Sequence, residues 1–188
     1  MKRLALAAAA MTLPGAAFAH PGHTETSGLA SGFLHPVTGP DHLLAMLAVG
    51  LIAALCGGRM LWALPVTFVG AMLAGAGPGL AGLALPGVEI WILGSVIVLG
   101  LLAAIPSTAL PHSLLLAGTA LFGLFHGYAH GAEAPTTGSL TGYLIGFTLA
   151  TAALHGIGIM LGQRVSAKIA RSAGAAIALA GAGLALIG

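Results

Sequence analysis

Charge is what this chain lacks most. Of its 188 residues, six are Lys or Arg and four are Asp or Glu, 5% of the sequence. Soluble domains carry about 25%, so a soluble fold of this composition would have almost nothing polar to cover its surface. Cysteine is almost missing. Cys56 stands alone, which excludes an internal disulfide and any multi-thiolate metal site. There is no basic patch to meet the phosphates of a nucleic acid. There is also no G-x-x-x-x-G-K-[ST] loop, so the chain does not hold ATP by that device.

What is present is apolar and small. Hydrophobic residues make up 58% of the chain and 30 residues are glycine. Small residues let helices approach closely inside a bilayer. The composition therefore predicts an all-α polytopic membrane protein, with lipid as its first partner.

Taken in order, the chain opens with Lys2-Arg3, an apolar run from Leu4 to Leu13, a break at Pro14-Gly15 and the small-residue pattern Ala17-Phe18-Ala19. That order is the pattern of a cleavable signal peptide over residues 1–19, and the run is short of the roughly 20 residues a span needs. A mature domain over 20–188 then begins with His20-Pro21-Gly22-His23 outside the cytoplasm. His20 and His23 there are candidates for metal capture or a plain polar tail. Six apolar segments follow, near 28–56, 60–76, 88–105, 112–130, 140–161 and 170–187. Breakers separate them: Gly57-Gly58, Gly77-Pro78-Gly79, Pro86-Gly87, Pro106, Pro111 and Pro135.

Threading six spans from an outside start places Arg59, Arg164, Lys168 and Arg171 on the cytoplasmic side, as the positive-inside bias requires. Both mature termini then lie outside. Trp62, Trp91, Tyr128 and Tyr143 fall near the interfaces, where amphipathic rings belong.

The ionisable residues left inside the apolar segments are the informative ones, because lipid rejects them and they mark functional sites by default. Asp41 and His42 fall in the outer half of segment one, and His126 and His130 in the outer half of segment four. His155 is deeper, in the inner half of segment five. His126 and His130 are spaced i, i+4, so they share one helix face about 6 Å apart along the axis. Two imidazoles so placed either chelate one ion or hydrogen-bond neighbouring helices. Gly123, Gly127 and Gly131 beside them let another helix come close.

His35 and His42 are seven residues apart, roughly 10 Å along a continuous helix. Pro36, Gly39 and Pro40 intervene, so the first helix is expected to break near Pro36–Pro40. His35 would then fold back toward Asp41 and His42. Asp41 is a ligand, a charge balance, or a cap on the amides of a helix starting after Pro40. Glu89 suits a helix start by the macrodipole or the pathway by its charge. Glu133 reads as a loop acid or a further ligand. His112 reads as a boundary residue. Imidazole with carboxylate suits divalent nickel, cobalt, zinc or copper.

The same residues carry a resemblance. HPVTGPDHLLAMLAVGL (35–51), GVEIWILGSVIVLGLLAA (87–104) and FHGYAHGAE (125–133) together resemble the HupE/UreJ family of nickel permeases, over nearly the whole chain. The resemblance implies nickel, or cobalt, uptake supplying hydrogenase or urease through the inner membrane of a bacterium; threading from an outside start then puts both mature termini in the periplasm. The resemblance also implies that His35, Asp41, His42, His126 and His130 handle the metal; His20, His23, Glu89, Glu133 and His155 are secondary candidates on the pathway by their positions alone. The protein would have no permanent cofactor, its metal being cargo, and would not be an enzyme.

Two other functions use the same residues: an intramembrane zinc hydrolase with an open water position, and a haem protein with two axial histidines. The GxxxG spacings at Gly142/Gly146 and Gly158/Gly162 serve packing within one chain or between copies in a homo-oligomer.

Overall fold

The computed structural model describes residues 28–136 and 138–187. The leader, with His20 and His23, lies outside the described residues. Among the described residues there are seven helices and no strand. They are α1 (Gly28–Thr38), α2 (Pro40–Cys56), α3 (Met60–Leu80), α4 (Val88–Ala104), α5 (His112–Ala132), α6 (Leu140–Arg164) and α7 (Ala167–Ile187).

The first apolar segment breaks where its sequence demands. Pro36 lies inside α1 and takes a donor out of its last turns. Gly39 precedes a proline, which disfavours helical backbone, and it sits at φ −84°, ψ 111°. Pro40 then opens α2 at a position that needs no amide donor. The two helices meet at 80°.

Elsewhere packing overrides local signals. Gly77-Pro78-Gly79 is expected to end the second segment, yet α3 continues through it to Leu80. Gly75 and Gly79 there lie directly on the main chain of Leu124 and Tyr128 in α5. That contact holds the last turn helical in spite of its composition. α6 and α7 extend three residues beyond the expected boundaries, to Arg164 and back to Ala167.

α2 is the central helix, with α3, α4, α6 and α7 all packed on it. Its core residues Ala45, Met46, Val49 and Ala53 are completely buried. The helix pairs dock through glycine. Gly123, Gly127 and Gly131 of α5 lie on the main chain of Phe68, Met72 and Ala76 in α3. Residue numbers rise together across that contact, so α3 and α5 run parallel. Gly158 and Gly162 of α6 meet Leu47, Gly50 and Ala54 of α2, again parallel. Gly32 of α1 lies on Tyr143, and Gly146 of α6 on Leu29. Both GxxxG spacings are thus used within the chain. Gly100 and Gly174 place α4 and α7 antiparallel. These contacts run α2 with α6 and α3 with α5, and set α4 against α7.

Three helices, α3, α6 and α7, are long and apolar enough to cross a membrane, and the bent pair α1–α2 passes together as a fourth. α4 is apolar but has 17 residues. α5 has 21 residues and carries three histidines. The exterior is apolar, with Ile90, Leu179 and Leu186 exposed, while His42, His126, His130 and His155 are buried. That is the reverse of a soluble protein, and the chain is a multi-pass membrane protein.

Candidate metal centre

The first turn of α2 builds one wall of the site. Asp41 Oδ1 accepts from the His42 backbone N–H at 2.8 Å and from His42 Nδ1–H at 2.9 Å. The amide is one of the first-turn donors that have no partner within a helix. One carboxylate oxygen therefore satisfies a first-turn amide and orients the ring. Because Nδ1 carries the proton, the lone pair of His42 is on Nε2. That atom is buried with no protein partner.

α4 and α5 build the second wall. Ser95 Oγ donates its single proton to the Ile92 carbonyl at 2.6 Å. It therefore accepts from His126 Nε2–H, 2.8 Å away. This leaves the lone pair of His126 on Nδ1, which is buried and unpartnered. One turn on, His130 is fully buried and neither of its ring nitrogens has a protein partner. Phe147 packs on its ring at 3.8 Å between centroids. The Tyr143 hydroxyl points at its carbonyl from 3.5 Å.

The three rings converge. The His42 ring is 4.6 Å from His126 and 4.3 Å from His130, centroid to centroid. One ligand nitrogen from each lies within 4.8 Å of the other two. An unpaired polar atom costs about 1–3 kcal/mol when buried, and here several share one spot. Neutral imidazole is a ligand for divalent nickel, cobalt, zinc and copper. Three such nitrogens would leave a bound divalent ion room for a further ligand, unlike a closed structural site.

His35 does not fold onto Asp41 as expected. The bend carries it toward the far end of α5, where its Nε2 lies 3.1 Å from Glu133 Oε2. Its ring meets His130 at 4.7 Å and Tyr143 at 6.0 Å. His35, His130 and Glu133 form a second group with ligand geometry, more exposed than the first. The hydrogen bond from His35 holds the Glu133 carboxyl below its ordinary value, against the opposing effect of burial.

The remaining candidates divide. His155 is buried in α6 with both ring nitrogens unpartnered. Phe68 stands between it and the site, 5.2 Å from His155 and 5.5 Å from His126. Glu89 is exposed in the first turn of α4, where its charge suits the helix start. His112 is exposed at the start of α5. Tyr143 is buried against the site. Ser95 and Phe68 escaped the sequence reading. Ser95 had one signal, as the lone hydroxyl within the apolar run of α4; Phe68 had none.

Over residues 8–186 the sequence matches the family described as HupE / UreJ protein. Protein HupE of Rhizobium leguminosarum bv. viciae is 43% identical over 180 residues, covering 94% of this chain and 93% of that protein. No solved structure matches.

Proposed function

The chain belongs to the HupE / UreJ protein family, and from that premise we propose that it carries divalent nickel, or cobalt, from periplasm to cytoplasm across the bacterial inner membrane. The observation that carries this reading is the convergence of His42, His126 and His130. Each of the three offers a buried, unpaired ring nitrogen in a protein whose exterior is apolar. A bilayer tolerates such groups where helices gather them around a polar cargo.

In this reading the chain makes six crossings, with the α1–α2 pair as a broken first span. Transporters place such breaks at their binding sites. In this arrangement the site lies toward the outer face. Arg59, Arg164, Lys168 and Arg171 lie at the other end, where basic residues favour the cytoplasm. The ion sheds water at the three rings, held by lone pairs that Asp41 and Ser95 direct. It then passes Phe68 and reaches His155. Protonation of a ring removes its lone pair, so release couples to protons entering the path. Movement is facilitated or secondary. A haem reading is disfavoured, because rings 4.3 Å and 4.6 Å apart leave no room for a porphyrin between them.

The test is metal uptake by vesicles holding the purified protein, with nickel, cobalt and zinc compared. Uptake should require the protein and should vanish in a His126→Ala/His130→Ala double variant. Full uptake by that variant would defeat the proposal. So would zinc that stays bound and supports hydrolysis of lipid or peptide.

A further inference from the structure

We infer that the ion occupies two stations in turn and that His130 is a ligand in both. This rests on the transport reading above and adds to it an order of events. The inner station is His42, His126 and His130, all buried. The outer station is His35, His130 and Glu133, with the His35 side chain 34% exposed and that of Glu133 60%. Glu133 caps the C-terminus of α5 three residues after His130, and its carboxylate comes within 4.8 Å of a His130 ring nitrogen. The bend between α1 and α2 brings His35 to them.

His130 is the hinge of the arrangement. Its ring is 4.7 Å from that of His35 on one side and 4.3 Å from that of His42 on the other. Neither of its nitrogens is committed to a protein partner. A neutral imidazole has one lone pair to offer at a time. The two stations therefore cannot both be complete, and two dications so close would also repel each other.

Their chemistry differs in the order that entry needs. The outer station offers a carboxylate to a cation that still keeps much of its water. The inner one offers imidazoles alone, which select a transition metal over magnesium or calcium. The ion meets Glu133 and His35 first and takes His130 as its third ligand. It moves inward as His130 turns its lone pair toward His42 and His126.

The experiment is a Co2+ titration of the purified protein in lipid nanodiscs, read by visible absorption and by stopped flow. The unaltered protein should bind one Co2+ per chain. Glu133→Gln, a change at an exposed position, should end at one Co2+ but load about tenfold more slowly, as loss of an attracting charge does. His42→Ala/His126→Ala should still bind one Co2+, more weakly and with an altered spectrum. Adding Glu133→Gln to that pair should abolish binding. Circular dichroism confirms that the variants keep their helices. Two Co2+ held at once, or wild-type loading by Glu133→Gln, would overturn the shared-ligand inference and leave the transport reading standing. A protein that binds no Co2+ at all would remove both.

Discussion

The sharpest consequence of the geometry concerns Asp41, whose carboxylate supports the site without belonging to the group of three converging rings. Its Oδ1 takes two bonds from one neighbour, 2.8 Å from the His42 amide and 2.9 Å from the His42 ring. Asparagine at this position keeps an oxygen that can cap the amide but loses the charge that fixes the tautomer and strengthens Nε2 as a donor to metal. Loss of such a carboxylate behind a metal-bound histidine weakens binding about 10- to 100-fold, or about 1.4–2.7 kcal/mol at 1.36 kcal/mol per tenfold step. Asp41→Asn should therefore weaken Co2+ binding by that factor while the metal-free protein melts close to its normal temperature. Asp41→Ala also loses the amide acceptor, which adds about 0.5–1.5 kcal/mol of destabilisation without metal. Co2+ titration and thermal unfolding in nanodiscs separate the two effects. Wild-type affinity in Asp41→Asn would refute the supporting role. A loss far beyond 100-fold would place the carboxylate on the ion itself.

Further consequences follow from other contacts. A methyl group at Gly127 would fall inside the Met72 carbonyl. Overpacking costs about 1–3 kcal/mol, and a main-chain obstacle cannot rotate away, so Gly127→Ala should reach the top of that range. It should also weaken metal binding by pushing α5, with His126 and His130, off α3; an unchanged melting curve and affinity would contradict this. His155 is buried with two unpaired nitrogens, and relieving such groups returns about 1–3 kcal/mol. His155→Leu should thus raise the unfolding temperature of the metal-free protein and lower its uptake, and a more stable variant with full uptake would take His155 off the path. The pair His35–Glu133 has a pH signature. Glu133 is held below its ordinary value chiefly by the bond from His35, so its stabilising contribution is complete above the ordinary carboxyl range and fades as pH falls through the lowered value. His35→Ala should shift the Glu133 titration upward, read by carbon NMR on glutamate-labelled protein with three such residues in the chain. An unmoved titration would break that link.

Much of this was written in local sequence. The break at Gly39–Pro40 follows from proline chemistry alone, and the spacing of His126 and His130 fixes their common face on any helix. Where the broken helix points does not follow. The direction of α1 is set by Gly32 docking on Tyr143 of α6 and Gly146 of α6 docking on Leu29, contacts between residues far apart in the chain, and it decides that His35 meets Glu133 instead of Asp41. The same long-range packing keeps α3 helical through Pro78, against its local signal. Ser95 matters only because α4 lays it against His126, and Phe68 because α3 sets it between two histidines. Glu133 reads as a loop acid until the α1 bend supplies its partner.

The central claim is that three imidazoles from two separate helices hold one travelling ion. X-ray absorption at the nickel edge of the loaded protein tests it most directly. The spectrum should show the scattering of three imidazole rings around nickel, falling to two in His126→Ala. Nickel with only oxygen neighbours, or a ring count that His126→Ala leaves unchanged, would contradict it.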